Sequence, residues 1–103
     1  MGTKWKGAVM SVYLIADIEV NDRETYEKYV TRARPIVEKY GGRYVASSEN
    51  IIPFSGDWKP AKMLVIEFDD LAGISRCFKS PEYLEIAPLR QSSSTSRSVI
   101  VRQ

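Results

Sequence analysis

The segment Val12–Val20, VYLIADIEV, constrains this chain more than any other. Val12, Leu14, Ala16, Ile18 and Val20 fall on one side; Tyr13, Ile15, Asp17 and Glu19 fall on the other. That alternation predicts a β-strand with one wholly apolar side, which must be buried against a second layer. The period then changes. Tyr26, Tyr29 and Val30, Ala33, Ile36 and Val37, and Tyr40 recur at helical spacing. Asn21-Asp22 offers an N-cap, with Glu24 placed to complete a capping box from Asn21. Gly41-Gly42 ends the helix, one of the two glycines taking the left-handed conformation. Pro35 predicts a kink or a broken turn near Arg32–Ala33.

Further along, Arg43–Glu49 reads as a second strand and Asn50–Pro60 as a turn-rich connection. Lys62–Phe68 reads as a third strand with Leu64, Ile66 and Phe68 on its apolar side. Asp69 or Asp70 caps a second helix through Leu71, Ile74, Cys77 and Phe78. Ser80-Pro81 restarts a short helix that Pro88 should limit, the hydroxyl-rich run Gln91–Ser98 reads as a loop, and Ser98–Arg102 closes the chain as a fourth strand. The order β-α-β-β-α-β predicts an α+β, ferredoxin-like fold: a four-stranded antiparallel sheet with the helices on one face. The other face would carry Tyr13, Ile15, Asp17, Glu19, Met63, Val65, Glu67 and Ile100. It is too apolar to stand bare in water, which predicts a homodimer with the two sheets facing each other.

The 103 residues contain no histidine and one cysteine, Cys77. Histidine-based nucleophile activation, imidazole general bases, thiolate zinc sites and intrachain disulfides are thereby excluded. Residues 1–10 read as a leader outside the core and residues 11–103 as one domain; beyond the leader's Lys4 and Lys6, acids and bases are equal in number and interleaved. Arg90, Arg97 and Arg102 read as a solvated face rather than a phosphate clamp, so no nucleic-acid partner is expected. No apolar run approaches the ~20 residues of a membrane span, no signal peptide is evident, and a cytoplasmic location is expected.

Strand YLIADIEVND, helix YEKYVTRARPIVEKYGGRY, loop GDWKP, strand MLVIEFDD and turn SPEYLEIAPLR together resemble one small bacterial family. It is domain-of-unknown-function family thirteen-thirty, within the dimeric α/β-barrel superfamily, and the resemblance spans Ser11–Arg102. It implies a ferredoxin-like fold and a dimer forming a closed barrel, and little chemistry. Superfamily relatives include cofactor-free monooxygenases, muconolactone-isomerase-like enzymes and stress-responsive barrel proteins. Haem-binding relatives use a histidine ligand that this chain lacks.

Asp17, mid-strand on the side assigned to the barrel interior, is the candidate general base or anchor for a substrate hydroxyl or amine. The competing reading pairs it with an arginine. Glu67 lies on a neighbouring strand but some three to four residues out of register with Asp17, roughly 10–13 Å away, so a Tyr13–Glu67 hydrogen bond is expected in place of a carboxylate dyad. Of Arg43 and Tyr44, one should face the helices and the other the open side; Tyr44 is the second catalytic candidate, lining the pocket with its phenol. Arg34 and Arg90 could bind an acidic substrate or pair with Asp17, and Trp58 reads as a lid over the pocket mouth or a plug in its loop. Tyr26, Tyr29 and Tyr40 read as core and interface aromatics, and Cys77 as an inert buried thiol.

The leading reading is a small cytosolic homodimer that binds a small organic molecule in a barrel-side pocket. Cofactor-independent isomerase or oxygenase-like chemistry is the candidate activity, with no cofactor and no metal expected. The alternative is a non-catalytic structural or regulatory dimerisation module.

Overall fold

A computed structural model describes residues 11–103; the leader expected at residues 1–10 lies outside the described residues. The chain runs β1 (Val12–Val20), α1 (Arg23–Lys39), β2 (Arg43–Ser48), β3 (Lys62–Phe68), α2 (Leu71–Phe78), α3 (Pro81–Ser93) and β4 (Ser94–Arg102). The strands form one four-stranded sheet in the order β2-β3-β1-β4, every neighbouring pair antiparallel. This is the ferredoxin-like arrangement that the alternation of periods predicts.

The alternation in β1 does what a period-two pattern must. Val12, Ala16 and Ile18 are buried, as are Ile66 and Phe68 of β3, and α1 and α2 cover them through Val37, Ile74 and Cys77. Phe68 has no exposure at all. Burying a side chain of that size contributes about 1.5–3 kcal/mol. A second cluster is built differently. Its buried members Ala33, Tyr83, Ile86 and Ala87 all come from α1 and α3, with no strand residue among them. Helix α3 therefore leans on α1 and stands off the sheet.

Four local expectations are corrected. The N-cap of α1 is Asp22, not Asn21: its carboxylate accepts the Thr25 N–H at 3.2 Å and the Thr25 hydroxyl at 2.8 Å. Helix α1 runs unbroken through Pro35, whose ring lies on the exposed side where water can serve the carbonyl left without a donor. Pro88 likewise fails to stop α3, which continues to Ser93. There the Ser93 and Ser94 hydroxyls bond the Leu89 and Arg90 carbonyls at 2.6 and 2.8 Å and end the helix. As a result Ser94–Ser98 belongs to β4 rather than to a loop.

The fourth correction concerns the open face. Ile100 pairs with Leu14 and so lies on the helix-covered side; Val99 and Val101, opposite Ile15 and Tyr13, take its place. Both are exposed, at 60% and 44%. The connection between β2 and β3 is also largely uncovered, with Ile52 85% and Phe54 100% exposed.

Candidate functional site

Where α3 stands off the sheet it leaves a cavity of about 370 Å³. Ala16 and the serines of β4 on its floor are small and leave it room. Ala16 of β1 sits directly across from Ser98 of β4, Ile18 from Ser96 and Val20 from Ser94. Leu14, Leu64 and Ile66 extend the apolar floor, and Tyr26, Tyr29 and Ala33 of α1 form one wall. Tyr83, Leu84, Ala87 and Arg90 of α3 form the opposite wall. An apolar pocket of this size with a few convergent polar groups is the usual form of a small-molecule site.

The polar groups of the α3 wall are placed by a short chain of sequence causes. Ser80 caps α3, accepting the Tyr83 N–H at 3.1 Å and donating to the Cys77 carbonyl at 2.7 Å. That cap fixes Tyr83 in the first turn. Arg90 follows seven residues later, two helical turns on and on the same stripe. Arg90 Nε donates to the Tyr83 hydroxyl at 3.1 Å, and a second guanidinium nitrogen reaches Ser96 Oγ at 3.4 Å. The Tyr83 and Tyr29 hydroxyls are bonded to each other at 2.8 Å. Burial pushes the Tyr29 phenol far above the ordinary tyrosine range, reinforced by neighbouring Tyr83. The Tyr29 phenol is thus held in its neutral form.

Tyr44 lies on the helix-facing side of β2 and lines the cavity, with Arg34 Cζ 4.1 Å from its ring centroid. Burial pushes its hydroxyl up to about 12, so it too stays protonated near neutral pH. A bulge at Val45 shifts the alternation by one residue and turns Ser47 to the same side, opposite Leu64.

Of the residues singled out in the sequence, Arg34, Tyr44 and Arg90 meet at this cavity. Asp17, Tyr13, Arg43, Trp58 and Glu67 do not. Asp17 pairs with Met63 and Arg97 across the sheet, on the face away from the helices. Its carboxylate accepts the Trp58 indole N–H at 3.0 Å and Arg97 Nε at 3.2 Å. Asp17 thus lies on the open face, where the alternation of β1 places it, away from this cavity, and the arginine-paired reading describes it. Its arginine partner is Arg97, rather than Arg34 or Arg90. Trp58 is neither lid nor plug of this cavity; it crosses the open face to hold Asp17. Glu67 sits opposite Tyr13 and accepts its hydroxyl at 3.5 Å, while Arg43 bridges Glu67 and Asp69 at 3.2 and 2.9 Å. Cys77 is fully buried, and desolvation raises its thiol to about 11.

Tyr83, the phenolic role of Tyr29 and the Ser94-Ser96-Ser98 row are the site features that sequence reading passes over. The signal for the serines is their own period of two, which marks one side of a strand. Among the described residues no group of histidine, cysteine, aspartate or glutamate side chains could hold a metal ion, and no helix is long and apolar enough to cross a membrane.

The fold is similar to that of several solved structures at low identity. A protein of unknown function from Rhodopseudomonas palustris has a TM-score of 0.80 at 16% identity, over 97% of this chain and 88% of that one. SnoaB, a cofactor-independent oxygenase from Streptomyces nogalater, has a TM-score of 0.67 at 16% identity, over 89% and 91% of the two chains. A dimeric ferredoxin-like protein of unknown function from Thermobifida fusca has a TM-score of 0.65 at 16% identity, over 91% and 92%. No curated protein sequence matches the chain. The model of one protein family does match, over residues 11–103, and on that match the chain belongs to the domain of unknown function family DUF1330.

Proposed function

We propose that this chain is a homodimer that binds a small organic molecule in the cavity between the sheet and helices α1 and α3. The observation that carries the reading is the cavity itself: about 370 Å³, apolar on its floor, with phenols and a guanidinium on its walls. The phenols and guanidiniums around it donate hydrogen bonds, and no aspartate, glutamate or histidine lines it. Asp17 lies on the other face of the sheet and takes no part in this cavity. Cofactor-independent chemistry on a substrate that ionises by itself, of the oxygenase kind described for SnoaB, suits these walls better.

Dimer formation is supported by Val99 and Val101 exposed on the open face, by the half-buried Ile15, Met63 and Val65 beside them, and by similar folds described as dimeric. Light scattering on the native chain and on Val99→Lys checks this part. The native chain is expected at dimer mass and the variant at monomer mass; a native monomer at micromolar concentration contradicts it.

The cavity is tested with 1-naphthalenemethanol, a neutral aromatic probe, by calorimetry. Native protein is expected to bind it. Ala16→Phe, filling the floor, and Ser98→Phe, on the outer strand where folding is less at risk, are expected to abolish binding. Native protein that does not bind, or a folded Ser98→Phe variant that binds as well as native, contradicts the reading.

A further inference from the structure

We infer that the cavity is selective for an organic anion, and that the anionic oxygen docks on the Tyr29–Tyr83–Arg90 cluster. This rests on the small-molecule reading above and names the ligand class. Three cations, Arg34, Lys62 and Arg90, line the cavity, and no aspartate or glutamate does. The chain from Ser11 onward has as many acids as bases, so this segregation is a property of the site rather than of the composition. Among the described residues neither Lys62 nor Arg90 forms a salt bridge; Arg34 has only a 3.9 Å contact with exposed Glu38 and the face of Tyr44.

The hydrogen bonds supply the second argument. Guanidinium nitrogens only donate, so the Tyr83 oxygen accepts from Arg90 at 3.1 Å. Two phenols bring two O–H groups, and the 2.8 Å bond between them uses one. Whichever of the pair donates to the other, one O–H has no acceptor among the described residues. A phenolic O–H beside a guanidinium, in an apolar cavity, presents donors to one oxygen that is itself not a donor. A carboxylate, enolate or phenolate oxygen fits; an alcohol or an ammonium group fits worse. Burial of Tyr29 keeps its own phenol in the neutral, O–H-bearing form.

The experiment compares 1-naphthoate with 1-naphthalenemethanol, the same ring system with and without charge, by calorimetric titration of the native dimer. Naphthoate is expected to bind at least about tenfold more tightly, the ratio one charge-assisted hydrogen bond supplies. In Arg90→Gln the preference should fall below about threefold while the neutral probe binds as before. Lys62→Gln, at the start of β3, serves if Arg90→Gln does not fold, and should lower the preference by a smaller factor. Equal binding of the two probes to native protein overturns the anion inference and leaves the cavity reading standing. An undiminished preference in folded Arg90→Gln overturns the docking of the anion on this cluster and leaves the cavity reading standing. Failure of native protein to bind either probe overturns both.

Discussion

Trp58 donates its indole N–H to the carboxylate of Asp17 at 3.0 Å, across 41 residues of sequence. The bond ties the β2–β3 connection to the middle of β1, on the face opposite the cavity. Arg97 closes on the same oxygen at 3.2 Å from β4, so three segments converge on one carboxylate. The arrangement is that of a carboxylate held by one indole N–H and one guanidinium.

Asp17→Asn should therefore cost stability and leave ligand affinity alone. Arg97 is mostly exposed, so the ion pair adds little, and the charge-assisted bond to Trp58 sets the size of the effect: about 1 kcal/mol in urea unfolding. The naphthoate affinity should stay within about twofold of native. A loss well beyond that, at unchanged stability, would return Asp17 to the site.

The phenol pair predicts an asymmetry. Tyr83→Phe strands both the Arg90 N–H and the Tyr29 hydroxyl in a partly buried place, and should cost about 1–3 kcal/mol. Tyr29→Phe leaves the Tyr83 oxygen still accepting from Arg90 and should cost less, about 0.5–1.5 kcal/mol. Chemical denaturation of both single variants and the double variant checks the order, and the double variant should cost less than the two single losses added together. Equal and additive losses would mean the two hydroxyls act independently.

Neighbouring glycines separate packing from backbone conformation. A Cβ on Gly42 would stand 2.5 Å from Val37 Cγ1 and 2.9 Å from Phe68 Cζ, inside the main core. A Cβ on Gly41 meets nothing, but Gly41 holds φ +91°. Gly42→Ala should overpack the core by about 1–3 kcal/mol. Gly41→Ala should pay only the left-handed backbone cost, about 1–2 kcal/mol. Thermal melts of the two variants, with near-UV circular dichroism to detect loosened packing around Phe68 in Gly42→Ala alone, distinguish the causes.

Acid stability should depend on Glu82. Hydrogen bonds from Lys39 and Tyr40 hold its carboxyl down to about 2, the Tyr40 bond measuring 2.9 Å. A carboxyl lowered on folding stabilises above its unfolded pKa, and that contribution disappears as pH falls toward the folded value. The loss attributable to Glu82 therefore lies between its ordinary value of 4.5 and about 2. Stability of Glu82→Gln followed over that window should fall less steeply than that of native protein; identical slopes would contradict the assignment.

The strands β1 and β3 were legible to the residue, because a period of two with one apolar side admits a single register. The Tyr13–Glu67 contact followed from that register. What sequence could not reveal is instructive in physical terms. Both prolines expected to interrupt helices sit on exposed sides, where water can serve the carbonyl left without a donor and packing of the other side keeps the helix whole. With α3 longer than expected, β4 begins four residues earlier, and the assignment of Ile100 to the open face fails with it. The cavity depends on α3 resting against α1 instead of the sheet, a matter of tertiary packing that no local period encodes. Asp17 is a carboxylate among apolar neighbours in its own strand. Its partners, Trp58 and Arg97, are distant in sequence, and only the folded sheet brings them together.

The most direct test of the central claim is a crystal structure of the protein with 1-naphthoate. The ring should lie between α3 and the Ala16–Ser98 floor, with its carboxylate within hydrogen-bond distance of the Tyr29–Tyr83 hydroxyls and the Arg90 guanidinium. Naphthoate bound on the open face beside Asp17, or a helix-side cavity left empty at saturating ligand, would contradict the account.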